Sequence, residues 1–260
     1  MKLQDLQKKN IGLVLSGGGV KAMAHIGAIK ALHEYEIYAD AVSGVGTGAV
    51  IGAFYAKGMS FAQMLDFFKE TPLFRYSFFS TNKPGLFDTE KYLYFMSNYF
   101  GKDTFEAMER RLFVTVTDLQ KGIPKTINSG KLLLPLLASA ALPPVFSPVT
   151  IDGMLYADGG IMNNFPIEVL SDELDVVIGS YTSGMKEIGK GKLDDPISLA
   201  KRTKRLMLHA NCREKLCAVD ILFRPKDLEY IKFSDDLAVE KAFMIGYEHA
   251  SRYLKEYVRA

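Results

Sequence analysis

The sequence lacks three features by which whole classes of protein are recognised: a long apolar run, an excess of one charge and a cysteine framework. Its 32 basic and 30 acidic residues leave a net charge of +2. This balance argues against a dedicated nucleic-acid-binding protein, which usually carries a strong basic excess. The most apolar stretch, residues 132–146, is interrupted by Pro135, Pro143 and Pro144 and is too short to cross a bilayer. The first ten residues also lack the apolar run of a signal peptide.

The sequence holds two cysteines, Cys212 and Cys217, on a predicted helix. At five residues apart they would point about 140° away from each other, so they are not expected to pair. Two free thiols favour a reducing compartment, and we predict a cytoplasmic protein. The sequence contains no C-x-x-C motif and no calcium loop, and His209 is the only further ligand near Cys212. We therefore predict neither a metal nor a cofactor.

Short apolar strands alternate with amphipathic helices along the chain. Ile11–Leu15 precedes three glycines and has the pattern of a buried parallel strand, and helical spacing follows over residues 21–35. The other predicted strands are 39–43, 111–117, 154–157, 176–180 and 221–224, and the other predicted helices are 49–57, 61–70, 89–100, 133–142, 195–217 and 236–258. This alternation predicts an α/β fold with a parallel sheet. Because no repeat, linker or composition break interrupts it, we predict one domain over residues 1–260.

Three glycine-rich clusters follow predicted strands, where parallel α/β sheets carry their functional residues. The first cluster, residues 16–21 (SGGGVK), is not a dinucleotide fingerprint because Ala22 occupies the third glycine position, and the P-loop string is absent. Successive glycines at the start of a helix can instead turn their N–H groups towards an anion. In acyl transfer such a loop serves as an oxyanion hole.

The second and third clusters suggest a nucleophile turn and a general base. Residues 44–48 (GVGTG) have the spacing of the nucleophile elbow G-x-S-x-G, but the central residue is Gly46. Asp158 stands 112 residues later and is followed by two glycines. A carboxylate in that place could act as a base near the elbow. Taken singly, the second cluster is also compatible with a plain glycine turn and the third with an ordinary Asp-Gly turn.

Taken in order, these clusters resemble the patatin-like phospholipase family. The resemblance covers residues 10–182 and is carried by residues 11–21, 25–27, 43–49, 51–58, 137–146 and 158–167. It implies a three-layer α/β sandwich with a mainly parallel central sheet. The C-terminal residues 195–260 carry no recognised motif and are expected to pack as helices on that domain.

The resemblance also implies a mechanism and a substrate class. Members of this family hydrolyse lipid or other acyl esters with a Ser–Asp dyad that needs neither histidine nor a cofactor. By this resemblance, Gly17, Gly18 and Gly19 are oxyanion donors and Asp158 is the base. Lys21 occupies the basic position that ends the glycine loop, where it either contacts the substrate or is a solvated charge. We expect Asp158 to lie within reach of a serine placed at position 46, with the N–H groups of residues 17–19 facing the same space.

Two positions depart from the family pattern. Ala22 replaces a glycine, which a first helical turn tolerates, and Gly46 stands where the nucleophilic serine belongs. Because glycine has no side chain, the covalent mechanism is not expected to run. The glycine is either a natural loss, as in a pseudoenzyme, or a later replacement of serine. The histidines, His25, His33, His209 and His249, all fall on predicted helices and are expected to be packed or solvated rather than catalytic.

Three functions remain open at this point. The first is an impaired acyl hydrolase, and the second is a non-catalytic protein that binds lipid or acyl chains. For the second, the aromatic stretches 61–79 and 92–100 would line the pocket, although they are also compatible with ordinary core. The third is an interaction module in which residues 201–205 (KRTKR) meet anionic headgroups at a membrane surface, unless they form a solvated helix face. No oligomeric state is indicated.

Overall fold

The computed structural model describes residues 3–71, 76–170, 174–185, 187–232 and 237–259. The strands within these ranges are β1 (Ile11–Leu15), β2 (Ala41–Val45), β3 (Arg111–Asp118), β4 (Ile123–Ile127), β5 (Val149–Ile151), β6 (Met154–Asp158), β7 (Val176–Ser180) and β8 (Ile221–Phe223). The α-helices are α1 (Leu3–Leu6), α2 (Met23–Glu34), α3 (Thr47–Ala56), α4 (Phe61–Glu70), α5 (Leu93–Ser97), α6 (Leu133–Ala140), α7 (Pro196–Ala210) and α8 (Ala238–Arg259).

The strands form one sheet in the order β5-β6-β3-β2-β1-β7-β8, and β4 pairs separately with β3. The five strands from β3 to β8 in this order run parallel, whereas β4, β5 and β6 are antiparallel to their neighbours. The predicted α/β fold with a mainly parallel central sheet is confirmed. The expectation that Asp158 follows a strand of the parallel part of the sheet is wrong, because β6 runs antiparallel to β3.

The strands bury their two faces in separate apolar clusters. In β1, Leu13 and Leu15 join the larger cluster, which includes residues of α2, α3, α4 and α8, while Val14 joins the smaller one. The smaller cluster is built from segments that are mostly not α-helical, including Phe165, Tyr181 and Leu216. This alternation is the period of two expected of a strand that is covered on both faces.

Helix α8 packs directly along α2 through two glycines. A Cβ on Gly27 would lie 2.1 Å from the Phe243 carbonyl oxygen, and one on Gly246 would lie 2.1 Å from the Ala24 carbonyl oxygen. The two backbones thus approach closely because neither position carries a side chain. In the described part of the chain, no helix is both long and apolar enough to span a bilayer.

Two predicted helices differ from the structure. The basic helix predicted over 195–217 ends at Ala210, so the angle inferred between its cysteines does not apply. Cys212 is buried and Cys217 is exposed, and both thiols are free. The helix predicted over 89–100 begins as a 3-10 turn at Thr89–Tyr92 and continues as the short α5. Asp236, in the predicted start of the last helix, lies outside the described residues.

Candidate active site

A sharp turn joins β2 to α3 at Gly46. Its φ of 60° and ψ of −135° fall in a region that glycine alone adopts readily, and α3 starts at the next residue. The Gly46 N–H donates to Ser139 Oγ at 2.9 Å, and Ser139 Oγ donates to the Thr115 carbonyl oxygen at 2.7 Å. A strand, the turn and α6 are thereby tied together at one point. The chain therefore turns sharply from strand to helix at residues 44–48, called the elbow below, and its central residue, Gly46, carries no side chain.

The glycines on either side of Gly46 allow close backbone packing. A Cβ on Gly44 would lie 2.6 Å from Ala49 Cα, and a Cβ on Gly48 would lie 2.4 Å from the Ser16 carbonyl oxygen. Both distances are shorter than non-bonded atoms tolerate, so α3 can start against β1 and β2 only with glycine at these positions.

Asp158 reaches the elbow because β6 continues the sheet where β2 stops. Strand β2 pairs with β3 up to Val45, opposite Thr115, and β6 pairs with β3 from Asp158, opposite Val116. A Cβ placed on Gly46 would lie 3.5 Å from Asp158 Oδ2 and 3.7 Å from Oδ1. The expected proximity of positions 46 and 158 is therefore present, although it arises from an antiparallel strand.

The electrostatics of Asp158 favour a carboxyl group that titrates near neutrality. Burial raises its pKa to about 7, against the opposing effects of the Gly160 N–H and the positive charge of Lys204. The Gly160 N–H donates to Asp158 Oδ1 at 2.7 Å. Lys204 donates to the Pro143 carbonyl oxygen at 2.9 Å; burial lowers the pKa of this lysine, and Asp158 partly offsets that effect. A base with a pKa near 7 suits proton transfer at neutral pH.

The first glycine cluster lies directly against the elbow. A Cβ on Gly46 would lie 3.3 Å from Gly17 Cα. The Gly17 N–H, however, donates to Asn164 Oδ1 at 3.1 Å, so this predicted oxyanion donor already has an acceptor. Gly18 and Gly19 come at the start of the 3-10 turn Gly19–Ala22 that leads into α2. The first N–H groups of a helix have no acceptor within it, which leaves these two as the better-placed donors.

A cavity of about 710 Å³ adjoins the elbow. Gly17, Gly18, Gly19 and Asp158 form one part of its wall, and most of the rest is apolar, including Val50, Phe67, Phe68, Met96, Leu137 and Phe146. Residues of both aromatic stretches thus contribute to the lining, as the lipid-binding interpretation expects. Residues 72–75 of the first stretch lie outside the described residues.

Lys21 lies in the wall of this cavity at its polar end. Burial lowers the pKa of Lys21; Glu229 opposes this effect and Arg205 adds to it. Arg205 also lines the cavity and pairs with Glu229 at 2.9 Å. Two basic side chains, Lys21 and Arg205, therefore line the cavity, and the Glu229 carboxylate lies beside them.

The four histidines all fall in the described ranges, and none of them lines this cavity. His25 is fully buried, with Nδ1 2.7 Å from Ser180 Oγ and Nε2 2.8 Å from the Ser16 carbonyl oxygen. Burial lowers its pKa to about 4, so it is neutral at pH 7 and supports the chain where β1 ends. Of the other three, His33 contacts aromatic rings, His209 contacts the Tyr181 hydroxyl, and His249 accepts from the Arg224 N–H. Within the described ranges, no three His, Cys, Asp or Glu side chains are grouped to hold a metal ion.

Ser139 and Asn164 are the residues of this site that sequence reasoning missed. Both occur inside segments that carry the family resemblance, residues 137–146 and 158–167, but neither was singled out. Ser139 holds the elbow N–H, and Asn164 holds the Gly17 N–H. A polar residue inside an otherwise apolar helix was the available signal for Ser139, because a buried hydroxyl usually has a partner.

Comparison with known proteins identifies one family model and several relatives that match this chain. The model of the patatin-like phospholipase family matches residues 13–171. The chain is 28% identical over 210 residues to an uncharacterised NTE family protein of Mycobacterium tuberculosis, which covers 80% of this chain and 58% of that protein. It is 28% identical over 164 residues to the lysophospholipase nte1 of Aspergillus fumigatus, covering 61% of this chain and 11% of that protein. The chain thus spans little more than half of one relative and about a tenth of the other.

Among solved structures, VipD from Legionella pneumophila shares the fold. Its TM-score is 0.58 at 15% identity, and the alignment covers 95% of this chain and 67% of VipD. At this identity, the similarity concerns the architecture alone.

Proposed function

The chain belongs to the patatin-like phospholipase family, and we propose that it is an acyl-ester hydrolase that has lost its nucleophile and now binds lipid or acyl chains without cleaving them. The family model matches well over half of the chain. Glycine at position 46 supplies no atom that could attack an ester. Asp158 as the base, the glycine N–H groups as oxyanion donors and the cavity are all kept in this proposal. Lipid binding is therefore the activity that this sequence supports best.

One observation carries the proposal. The Cβ position of Gly46 lies 3.5 Å from Asp158 Oδ2, and the backbone there already has a φ of 60°. A serine at that position would need no rearrangement of the strand or of α3 to bring its hydroxyl towards the carboxylate. This is the arrangement expected of a Ser–Asp dyad from which one side chain has been removed.

The proposed chemistry of a Gly46→Ser form follows from these positions. The serine Oγ attacks the ester carbonyl carbon while Asp158 accepts the hydroxyl proton, and the N–H groups of Gly18 and Gly19 stabilise the negative oxygen. Asp158 then gives its proton to the departing alcohol. In the second half, water attacks the acyl group, Asp158 accepts the water proton, and the proton returns to Oγ as the acid leaves.

The cavity supports the choice of substrate class. Its volume of about 710 Å³ is within the range of roughly 300–1,000 Å³ that is common for small-molecule sites. The mostly apolar walls suit an acyl chain, and the polar end lies beside Gly17–Gly19 and Asp158. We propose that Lys21, at this end, contacts the polar part of the lipid. The cytoplasmic location remains a prediction.

Lipid binding can be tested on the chain as it stands. A fluorescent fatty acid, used as a monomer, should bind the parent chain. The variant Ala140→Phe, which adds bulk to the cavity wall, should weaken this binding by roughly tenfold or more. Ala107→Phe adds the same bulk at an exposed position and serves as the control. Equal affinity in all three proteins would contradict the assignment of the cavity.

A second experiment tests whether the site derives from a working hydrolase. The parent chain should show negligible hydrolysis of a short-chain ester, and Asp158→Asn should change this little, because the two positions act as a unit. Gly46→Ser should hydrolyse the ester, and adding Asp158→Asn should reduce that rate by about 10²–10⁴-fold. Gly46→Ala, which restores Cβ without the hydroxyl, should stay inactive. Parent turnover that depends on Asp158 would mean that water attacks directly.

A further inference from the structure

Helix α7 presents its apolar side to solvent. At 100° per residue, Leu206, Leu199, Ala210, Thr203, Met207 and Ala200 share an arc of about 120°, and none of them is charged. Three large apolar side chains of this arc are exposed: Leu199 to 51%, Leu206 to 47% and Met207 to 65%. Outside the arc, Ile197 is 66% exposed and Leu208 is half-buried. No residue of α7 is buried. An exposed apolar patch of this kind usually marks a surface that contacts something else.

The polar residues of α7 are used for contacts with the rest of the protein. Lys204 reaches the Pro143 carbonyl oxygen, Arg205 pairs with Glu229, and His209 contacts the Tyr181 hydroxyl. At the end of the helix, Asn211 donates to the Ile161 carbonyl oxygen at 2.9 Å, beside the loop that follows Asp158. This orientation is opposite to that of an ordinary surface helix, whose apolar side faces the core. It also means that residues 201–205 do not form one continuous solvated basic face.

We propose that the outward face of α7 docks on an anionic lipid surface and thereby sets the mouth of the cavity against the membrane. The inference rests on the proposed lipid-binding function. Two residues of α7, Arg205 and Leu208, line the cavity, so a lipid that enters it from a bilayer would pass this helix. An interfacial helix buries its apolar face at the boundary between headgroups and acyl chains.

Charge favours a lipid surface over another apolar partner. Helix α7 contains four basic residues and no acidic one. The two basic residues that flank the apolar arc are Arg202 on one side and Lys204 on the other, and both are half-buried. Each basic residue held near an anionic membrane adds to the attraction. Pro196, Leu199 and Met207 also share a shallow groove of about 570 Å³ with Ile161, which extends the apolar surface towards the Asp158 loop.

Vesicle co-sedimentation of the full chain tests this proposal. The parent chain should bind phosphatidylcholine vesicles that contain phosphatidylglycerol, and bind vesicles of phosphatidylcholine alone more weakly. Leu199→Gln/Met207→Gln should lower the affinity for the anionic vesicles by roughly tenfold or more, since two exposed apolar side chains no longer enter the interface. Arg202→Gln should lower it by roughly fivefold while leaving binding to neutral vesicles little changed.

A matched control lies at the other end of the sheet. Tyr38 is 50% exposed and precedes β2, at the end opposite Gly46, so Tyr38→Gln should bind vesicles like the parent. The proposal is overturned if the parent does not bind anionic vesicles, or if the Leu199→Gln/Met207→Gln variant binds them equally well. It is also overturned if sedimentation shows a dimer that this variant abolishes, because a second copy would then cover the helix.

Binding of a monomeric fatty acid separates this proposal from the one it rests on. The α7 variants should bind the monomer like the parent, because the cavity is intact. If the parent binds vesicles but not the monomeric fatty acid, the docking face is supported and the assignment of the cavity is refuted. Monomer binding without vesicle binding would refute the docking face alone.

Discussion

The elbow and helix α7 border the same cavity but are held in opposite ways. At the elbow, the backbone of β2 and α3 packs so closely that a Cβ on Gly48 would lie 2.4 Å from the Ser16 carbonyl oxygen. Helix α7 has no buried residue and is held by contacts such as Lys204 to Pro143. The elbow is therefore expected to be rigid, whereas α7 lies at the surface with its apolar side exposed to solvent. Substitutions should therefore cost far more stability at the elbow than on α7.

The largest effect is expected at Gly48. Gly48→Ala places a methyl group against the Ser16 carbonyl oxygen, and backbone on both sides prevents an easy escape. We expect the free energy of unfolding to fall by about 3 kcal/mol or more. Chemical denaturation measures this, and Gly101→Ala, at a position where a Cβ meets no atom within 4 Å, is the control. A loss below about 1 kcal/mol would show that the backbone of the elbow adjusts easily and is not more rigid than α7.

Asp158 should give the next largest effect, with a definite pH dependence. Its pKa is about 7 in the folded chain against an ordinary value of 3.8, so the folded state holds the proton more tightly. The stability that this carboxyl group contributes therefore falls as the pH rises from about 4 to about 7. Asp158→Asn lacks this titration, so its stability relative to the parent should rise by roughly 2–4 kcal/mol over that window.

Denaturation of both proteins at a series of pH values tests this expectation. His25, whose pKa is lowered to about 4, titrates over an overlapping range, but it does so in both proteins and cancels in the difference. A difference that stays constant between pH 4 and pH 7 would mean that the carboxyl group is not held in a protonated form by burial.

A smaller loss is expected when Gly46 receives a side chain. With φ at 60° and ψ at −135°, any other residue is strained, and Gly46→Ala should lose about 1–2 kcal/mol of unfolding free energy. Gly46→Ser should lose slightly less if its hydroxyl bonds to Asp158, because a hydrogen bond contributes about 0.5–1.5 kcal/mol. Urea denaturation compares the two. A serine form that is less stable than the alanine form would argue against that hydrogen bond.

The smallest effect is expected on α7. Leu206 is 47% exposed, so Leu206→Gln should change the unfolding free energy by no more than about 0.5 kcal/mol. Thermal and chemical denaturation check this at more than one protein concentration. A loss above about 1 kcal/mol that depends on concentration would mean that this face is covered by another copy in solution.

The sequence predicts the elbow well because glycine spacing reflects backbone constraints directly. It predicts the proximity of Asp158 to position 46 but not its cause, since β6 was expected to run parallel to the other strands. The short antiparallel strands were the difficulty. Ile123–Ile127 contains Pro124 and Lys125, and its first three residues are exposed, so it lacks the alternation that marks a strand. The hydrogen bond from Gly17 to Asn164 depends on a side-chain position that no sequence pattern specifies.

Helix α7 shows a different limit of sequence reasoning. Its periodicity reveals that the helix has an apolar side but not which side faces the protein, because that depends on the surrounding polar contacts. Its end at Ala210 was also missed, since no glycine or proline follows there to stop the predicted helix before residue 217. Its outward orientation became visible only with the exposures of Leu199 and Met207.

The site should need only a serine at position 46 to regain an activated nucleophile, and covalent labelling tests this most directly. Gly46→Ser should react with a fluorophosphonate ester, which phosphonylates an activated serine, and intact mass should rise by one phosphonyl group. The parent chain should stay unlabelled, and Gly46→Ser/Asp158→Asn should react far more slowly. If Gly46→Ser folds like the parent yet gains no adduct, or if labelling does not depend on Asp158, the account of the site is contradicted.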